Sequence, residues 1–168
     1  MHAGKILAIV LILCAIVAGA GMYYLQVFHY YEEAPMQDSV RLTGSDGTPI
    51  DLPVRDFRAI DAESSPIRFR ACFRTDASLD TLDAEIYPRA IPRRGPFWFD
   101  CFDADAVGAA IAEGSARVFT GQRNLEFGID RVVAITNSGR GYIWHEVNEC
   151  GDRAYDGTPL GEDCPPRD

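Results

Sequence analysis

His145 is the only histidine beyond residue 30; His2 and His29 precede it. It sits in Trp144-His145-Glu146, where an imidazole beside a carboxylate could serve as a general base or bind a metal with Glu146 or Glu149. The surrounding pattern reads as a strand, in which adjacent residues point to opposite faces, so His145 and Glu146 are not expected to share a site. A half-buried structural histidine is the expectation, with a small enzyme built on His145 as the alternative. Arg93-Arg94 offers a grip for a carboxylate or phosphate, although such pairs commonly face water. Asp100, Asp103 and Asp105 could hold a cation. Asp103, however, reads as a helix N-cap and Asp105 as its first-turn acid, and the segment lacks the glycine and terminal glutamate of an EF-hand loop. No G-x-S-x-G, Walker, H-E-x-x-H or G-x-G-x-x-G pattern occurs, so no catalytic, cofactor-binding or metal-binding residue is assigned and no cofactor is expected.

Cysteines carry the most specific chemical signal. Cys14 lies in an apolar run, whereas Cys72, Cys101, Cys150 and Cys164 lie beyond it with no C-x-x-C or Cys/His metal spacing. Two disulfides are the expectation. Four cysteines allow three connectivities, and chain order favours Cys72 with Cys101 and Cys150 with Cys164, the second pair closing a short polar loop containing Gly and Pro.

These residues must be positioned by elements that the patterning outlines. Val40 and Leu42, the turn chemistry Gly44-Ser45-Asp46-Gly47, and Ile50 and Leu52 predict a hairpin. A further strand is read at 57–61. Ile67, Phe69, Ala71 and Phe73 alternate with Arg68, Arg70, Cys72 and Arg74, which predicts a strand with one apolar face and one solvated, arginine-rich face; an anion-binding ladder is the alternative. Residues 78–86 read as a short helix or turn, and 87–96, with three prolines, as irregular. The aromatic run Phe97-Trp98-Phe99-Asp100-Cys101-Phe102 reads as a core strand. A helix over 104–113 stops at Gly114. Alternation at 117–120 and 124–127 is followed by the clearest hairpin, 129–136 and 141–147 about Asn137-Ser138-Gly139-Arg140. The fold class is therefore α+β: a small antiparallel-sheet domain with one or two helices and two disulfides.

The 20 residues Ile6 to Leu25 carry no charge, enough at about 1.5 Å rise per residue to cross a hydrocarbon core of roughly 30 Å. The organisation expected is a cytoplasmic lead over 1–5, a transmembrane helix over 6–28, a linker over 29–39 and a periplasmic domain over 40–168. Lys5 precedes the span and Glu32, Glu33 and Asp38 follow it, which sets the N-terminus inside. Ala18-Gly19-Ala20 resembles a signal-peptidase site, but Met22-Tyr23-Tyr24-Leu25 continues the apolar run, and Tyr23, Tyr24, Phe28, Tyr30 and Tyr31 form an interfacial aromatic belt, so the span is read as retained. Ala15, Ala18 and Gly19 give a small-residue face for another inner-membrane helix. Beyond Lys5 every cation is one of 15 arginines, set against all 25 acids. A domain that acidic repels phosphate backbones, so no nucleic-acid partner is expected and the lipid bilayer is.

Four stretches carry a resemblance: Met22-Tyr23-Tyr24-Leu25-Gln26-Val27, Trp98-Phe99-Asp100-Cys101-Phe102-Asp103-Ala104, Asp130-Arg131-Val132-Val133-Ala134 and Cys164-Pro165-Pro166. They resemble an uncharacterised alphaproteobacterial family of single-span membrane proteins. The resemblance implies an extracytoplasmic domain and supplies no functional residues. Some similar sequences carry a histidine-kinase label, yet His145-Glu146-Val147-Asn148 lacks the proline of a phosphoacceptor box and no ATP-lid glycines follow. The sequence-level reading is a membrane-anchored periplasmic interaction or accessory module, with a ligand-sensing domain as the alternative, for which a pocket lined by Arg68, Arg70, Arg74, Arg93 or Arg94 would be diagnostic.

Overall fold

The structure is a computed structural model that describes residues 3–158, 160–161 and 164–166; Met1 and His2 of the expected lead lie outside the described residues. Contacts divide the chain into two compact units, Met1–Glu32 and Glu33–Asp168.

The first unit is a single helix. Its α-helical part, α1 (Ala3–Tyr24), continues as a π-helical turn, Leu25–His29, closed by the Tyr30 N–H on the Leu25 carbonyl at 3.2 Å. The whole stretch Ala3–His29 is long and apolar enough to cross a membrane, and none of α1 is buried in protein. Tyr24 stacks on Phe28 with ring centroids 5.9 Å apart, and Tyr23 meets the same ring edge-on at 6.4 Å.

The second unit is built on strands β1 (Glu32–Glu33), β2 (Ser39–Thr43), β3 (Pro49–Pro53), β4 (Arg55–Asp61), β5 (Arg70–Arg74), β6 (Ala116–Glu126), β7 (Ile129–Thr136) and β8 (Arg140–Val147), with one α-helix, α2 (Ala104–Ala112). Six strands form one sheet in the order β1-β4-β5-β8-β7-β6, and β2 pairs with β3 as a separate hairpin. The pairs β4/β5, β5/β8, β8/β7 and β7/β6 are antiparallel. Residues 84–87 continue the hydrogen bonding past β6: Thr120 N–H reaches the Glu85 carbonyl, Tyr87 N–H the Val118 carbonyl, and Glu85 N–H the Thr43 carbonyl of β2. The β2/β3 hairpin is thereby folded over one face of the sheet. Val40, Leu42 and Leu52 of the hairpin meet Phe57, Phe69, Phe73, Phe119, Val133 and Ile143 to form the main core. Both hairpins and α2 fall where the sequence places them. Asp103 caps α2 by accepting from the N–H groups of Asp105 and Ala106, and Gly114 ends it at φ 74°, a left-handed conformation that suits glycine.

The other face is covered by a proline-containing strap, 87–96, followed by turns and α2. The strap is pinned to three strands: Tyr87 N–H to Val118 of β6, Ile91 N–H to the Glu146 carboxylate of β8 at 2.7 Å, and the Arg93 and Arg94 carbonyls to the Arg70 guanidinium of β5 at 2.7 and 3.2 Å. Disulfide Cys72–Cys101 fixes the segment that follows, and Cys150–Cys164 closes the C-terminal loop, the pairing that chain order favours.

Three expectations are corrected. Residues 97–102 are not a core strand: Phe99 N–H bonds to the Pro96 carbonyl and Phe102 N–H to that of Phe99, and these successive turns bury Phe99 and Phe102 while leaving Phe97 exposed. The expected arginine-rich face of β5 is not solvated at Arg70, which is 4 % exposed; its guanidinium also donates to the Ile67 and Phe69 carbonyls and lies 5.7 Å from the Phe102 ring centre. The segments at 117–120 and 124–127 are one strand, β6, whose register shifts between Thr120 and Gln122 and again before Glu126.

Gly141 has a particular reason to be glycine. It pairs across the sheet with Phe73, and a Cβ there would stand 2.0 Å from the Phe73 ring. Gly108, inside α2, would place a Cβ within 4 Å of nothing. Gly141→Ala is therefore expected to destabilise the domain by about 1–3 kcal/mol through overpacking. Gly108→Ala is expected to stabilise it by about 0.5–1 kcal/mol through helix propensity. Denaturation midpoints of the detergent-solubilised full chain check both signs.

Candidate functional site

Strand β8 runs through the middle of the sheet and presents opposite chemistry on its two faces, as period two requires. His145 points into the core side and is 3 % exposed, buried more deeply than half. Its ring stacks on Phe69 at 4.8 Å between centroids; Nδ1 lies 2.6 Å from the Pro66 carbonyl and Nε2 accepts from Arg131 Nε at 3.1 Å. Arg131 in turn lies over the Phe69 ring at 4.9 Å. With Nδ1–H donated to a carbonyl and the Nε2 lone pair engaged by a guanidinium, this imidazole is neutral and fully occupied. Its pKa is lowered to about 4, chiefly by burial, with Arg131 and Arg70 adding and the Pro66 carbonyl and Asp61 opposing.

Glu146 faces the strap side and stands opposite Asp130 of β7 in the sheet register. The two carboxyl groups are treated differently. Asp130 is completely buried and its oxygens are well supplied: Oδ1 accepts the Asn124 N–H at 2.9 Å and Asn148 Nδ2 at 2.7 Å, and Oδ2 faces Arg123 Nη1 at 3.5 Å. Asn124 adopts φ 46°, a left-handed conformation that asparagine tolerates better than most residues, and its Oδ1 accepts from Asn148 Nδ2 and the Gly128 N–H. Glu146 is 4 % exposed; Oε1 accepts the Ile91 N–H, while Oε2 is buried with no hydrogen-bond partner among the described residues. Burial raises its pKa, against the lowering effects of the Ile91 N–H, the Trp144 indole and Arg93; Asp130 adds to the rise.

Glu146 and Tyr87 line a cleft of about 450 Å³ between the strap and the chain leaving β8. Arg89, Ile91 and Arg93 of the strap, Arg123 of β6, and Glu149 and Asp152 after β8 complete its charged and apolar surface. Arg123 bonds Glu85 Oε1 at 3.0 Å and lies 5.8 Å from the Tyr87 ring centre, which holds that wall in place. The Tyr87 hydroxyl has its pKa raised by burial first, then by Asp130 and Glu146.

Of the residues singled out from sequence, Arg93 lines this cleft, whereas His145 and Arg94 do not. Arg94 is exposed and pairs with Asp105 at 3.0 Å. Arg74 lines a different depression with Arg58 and Arg140, and Arg70 is used up inside the fold. The three acids near α2 have separate tasks: Asp100 pairs with Arg58, Asp103 caps α2 and Asp105 pairs with Arg94. What the sequence reading missed was Asp130 and Tyr87; Glu146 and Glu149 entered it only as partners of His145, from which the strand separates Glu146. The available signal was the spacing Asp130…Glu146 in facing strands of one hairpin, since the turn at 137–139 fixes their register.

Fold and site together define a protein with, among the described residues, one long apolar helix followed by a disulfide-braced antiparallel-sheet domain carrying a cleft of mixed charge. The chain belongs to a family of unknown function, DUF6446, whose match covers residues 40–165 and hence nearly all of that domain. No curated protein and no solved structure matches the chain.

Two outcomes follow from the buried polar groups. Asp130→Ala strips acceptors from Asn124, Asn148 and Arg123, and at about 1–3 kcal/mol for a stranded buried donor it is expected to be among the most destabilising single changes, read as a fall in denaturation midpoint. For His145, the unfolded imidazole binds its proton near 6.5 and the folded one only near 4. The stabilisation is fully present above pH 6.5 and is lost as pH falls toward 4, by about 3 kcal/mol in the limit. The pH dependence of unfolding between 7 and 4 is expected to be correspondingly flatter in His145→Gln than in the parent chain.

Proposed function

We propose that this protein is an interaction or accessory module of the bacterial inner membrane, anchored by Ala3–His29 and displaying residues 40–168 in the periplasm. The observation that carries this reading is the coexistence, in one chain, of an apolar helix of membrane-crossing length with two disulfides in the domain that follows. Disulfides persist in oxidising compartments and are rare in the cytosol. Lys5 before the helix and acids just after it support the same orientation. The partners proposed are the lipid bilayer and a second inner-membrane helix packed against Ala15, Ala18 and Gly19, where small side chains permit close approach. The net negative charge of the domain speaks against nucleic acid.

The cleft at Tyr87, Arg93 and Glu146 favours a second reading, an extracytoplasmic ligand-binding domain. A concave site of this volume lined by a few converging polar groups is the usual form of a small-molecule site.

The compartment claim is tested on the full chain in membranes by alkylating thiols in denaturant without reductant and counting the modified residues by mass. Modification of Cys14 alone is expected, with all five cysteines modified after reduction. Five reactive thiols before reduction would show the bridges unformed in the cell and would sink the periplasmic assignment.

A further inference from the structure

At the β4 edge of the large sheet the surface turns apolar. Phe97 and Trp98 are the two central residues of a turn closed by the Phe99 N–H on the Pro96 carbonyl at 3.0 Å, so both sit at its tip. Phe97 is 72 % exposed and Trp98 partly exposed. Behind the tip the turn is fixed to the sheet: Phe99 is buried with the Arg58 guanidinium 5.6 Å from its ring centre, and Cys101 is bridged to Cys72 of β5. Trp98 meets Phe99 edge-on at 6.5 Å and lines a cavity of about 380 Å³ with Ala34, Met36 and Phe57. Met36 is 79 % exposed.

Isolated apolar side chains on a surface are ordinary, whereas a braced aromatic turn beside an exposed methionine marks a surface that something covers. The length of the connecting chain indicates what. The Ala34 N–H is bonded to the Ala59 carbonyl of β4 at 2.9 Å, and residues 30–33 alone separate Ala34 from His29, where the apolar helix ends. A connection of that length reaches at most about 17 Å when fully extended. In a chain anchored through Ala3–His29, this edge is kept within reach of the lipid headgroups, the zone in which tryptophan is enriched.

We propose that the edge carrying Met36, Phe97 and Trp98 is a second membrane contact, its apolar side chains seated in the headgroup region of the leaflet from which the domain emerges. This rests on the membrane-anchored reading above. Beyond Lys5 the chain is net negative, so the contact is apolar and needs no anionic lipid. A second point of attachment limits the orientation of the domain as a single tether would not.

The test uses the two tryptophans, of which Trp144 is fully buried. The full chain is reconstituted into phosphatidylcholine vesicles containing a lipid quencher placed either near the headgroup or at the end of the acyl chain, and tryptophan emission is followed. Trp98 emission is expected to be quenched more strongly by the shallow label than by the deep one. Trp98→Phe is expected to remove the quenchable emission and leave that of Trp144. Met36→Ser combined with Phe97→Ser, two exposed side chains whose loss leaves the fold intact, is expected to weaken shallow quenching by about half or more. Ile86→Ser, an exposed residue beside β6 at the opposite edge of the sheet, is expected to leave it unchanged. Chain that resists alkaline extraction yet shows no shallow quenching overturns the second contact while the anchored reading stands. Quenching indifferent to Met36→Ser with Phe97→Ser also overturns it, because the short tether alone then accounts for the proximity, and an equal loss from Ile86→Ser overturns the assignment to this edge. Chain that is extracted from the vesicles by alkali overturns both readings.

Discussion

Asp130 is entirely enclosed, and a carboxyl group taken out of water persists only where donors replace the solvent. Those donors come from Arg123 and Asn124 at the end of β6 and from Asn148 after β8, and each has a second task. Arg123 continues to Glu85 and lies over Tyr87, so it sets the first residue of the strap. Asn148 accepts the N–H groups of Cys150 and Gly151, so it starts the loop that Cys150–Cys164 closes. Asn124 holds the turn into β7 through Gly128. An apolar residue at 130 could fill the volume, but the donors around it would then lack the acceptor that brings these three segments together.

A second buried charge does comparable work at the other end of the strap. Arg70 is folded inward and satisfied by four backbone carbonyls, two from the turn before β5 and two from the strap, with the Phe102 ring on its flank. Lysine could not serve here, because its compact ammonium lacks the planar fork that reaches divergent carbonyls at once. The strap has no regular structure of its own; it is held by Arg70 and Glu146 from the sheet and by a backbone bond at Tyr87.

Much of this architecture was legible in the sequence. The apolar helix, both hairpins, the Asp103 cap with Gly114, and the pairing of cysteines all follow from local rules that the tertiary structure leaves alone. The failures share a cause. Arg70 alternates as a solvent-facing residue should, and only a strap more than twenty positions away turns it into an interior group. Phe97–Phe102 has strand composition, but Pro96 and the bond to Cys72 bend it into turns that bury every third residue. The cleft was half visible. Period two correctly separates His145 from Glu146, yet which of the two would face a cavity depended on the β2/β3 hairpin occupying the other side. Arg93 was singled out for its neighbour Arg94, and the neighbour went elsewhere.

The strand order β1-β4-β5-β8-β7-β6 divides the large sheet into two blocks contiguous in sequence that meet along the single seam of β5 and β8. Within the later block, β6, β7 and β8 are joined by tight turns, so their pairing closes only short loops. The seam instead joins Arg70 to Trp144, across most of the domain, and no contact along it can reward the chain until that long loop has closed. Arg70 and Cys72 belong to the earlier block, as do the strap and the turn they hold, and the strap is tied to the later block as well, at Val118 of β6 and Glu146 of β8. The central seam of the large sheet is thus closed across a long loop, whereas the groups that cover it from β5 are reached across shorter ones.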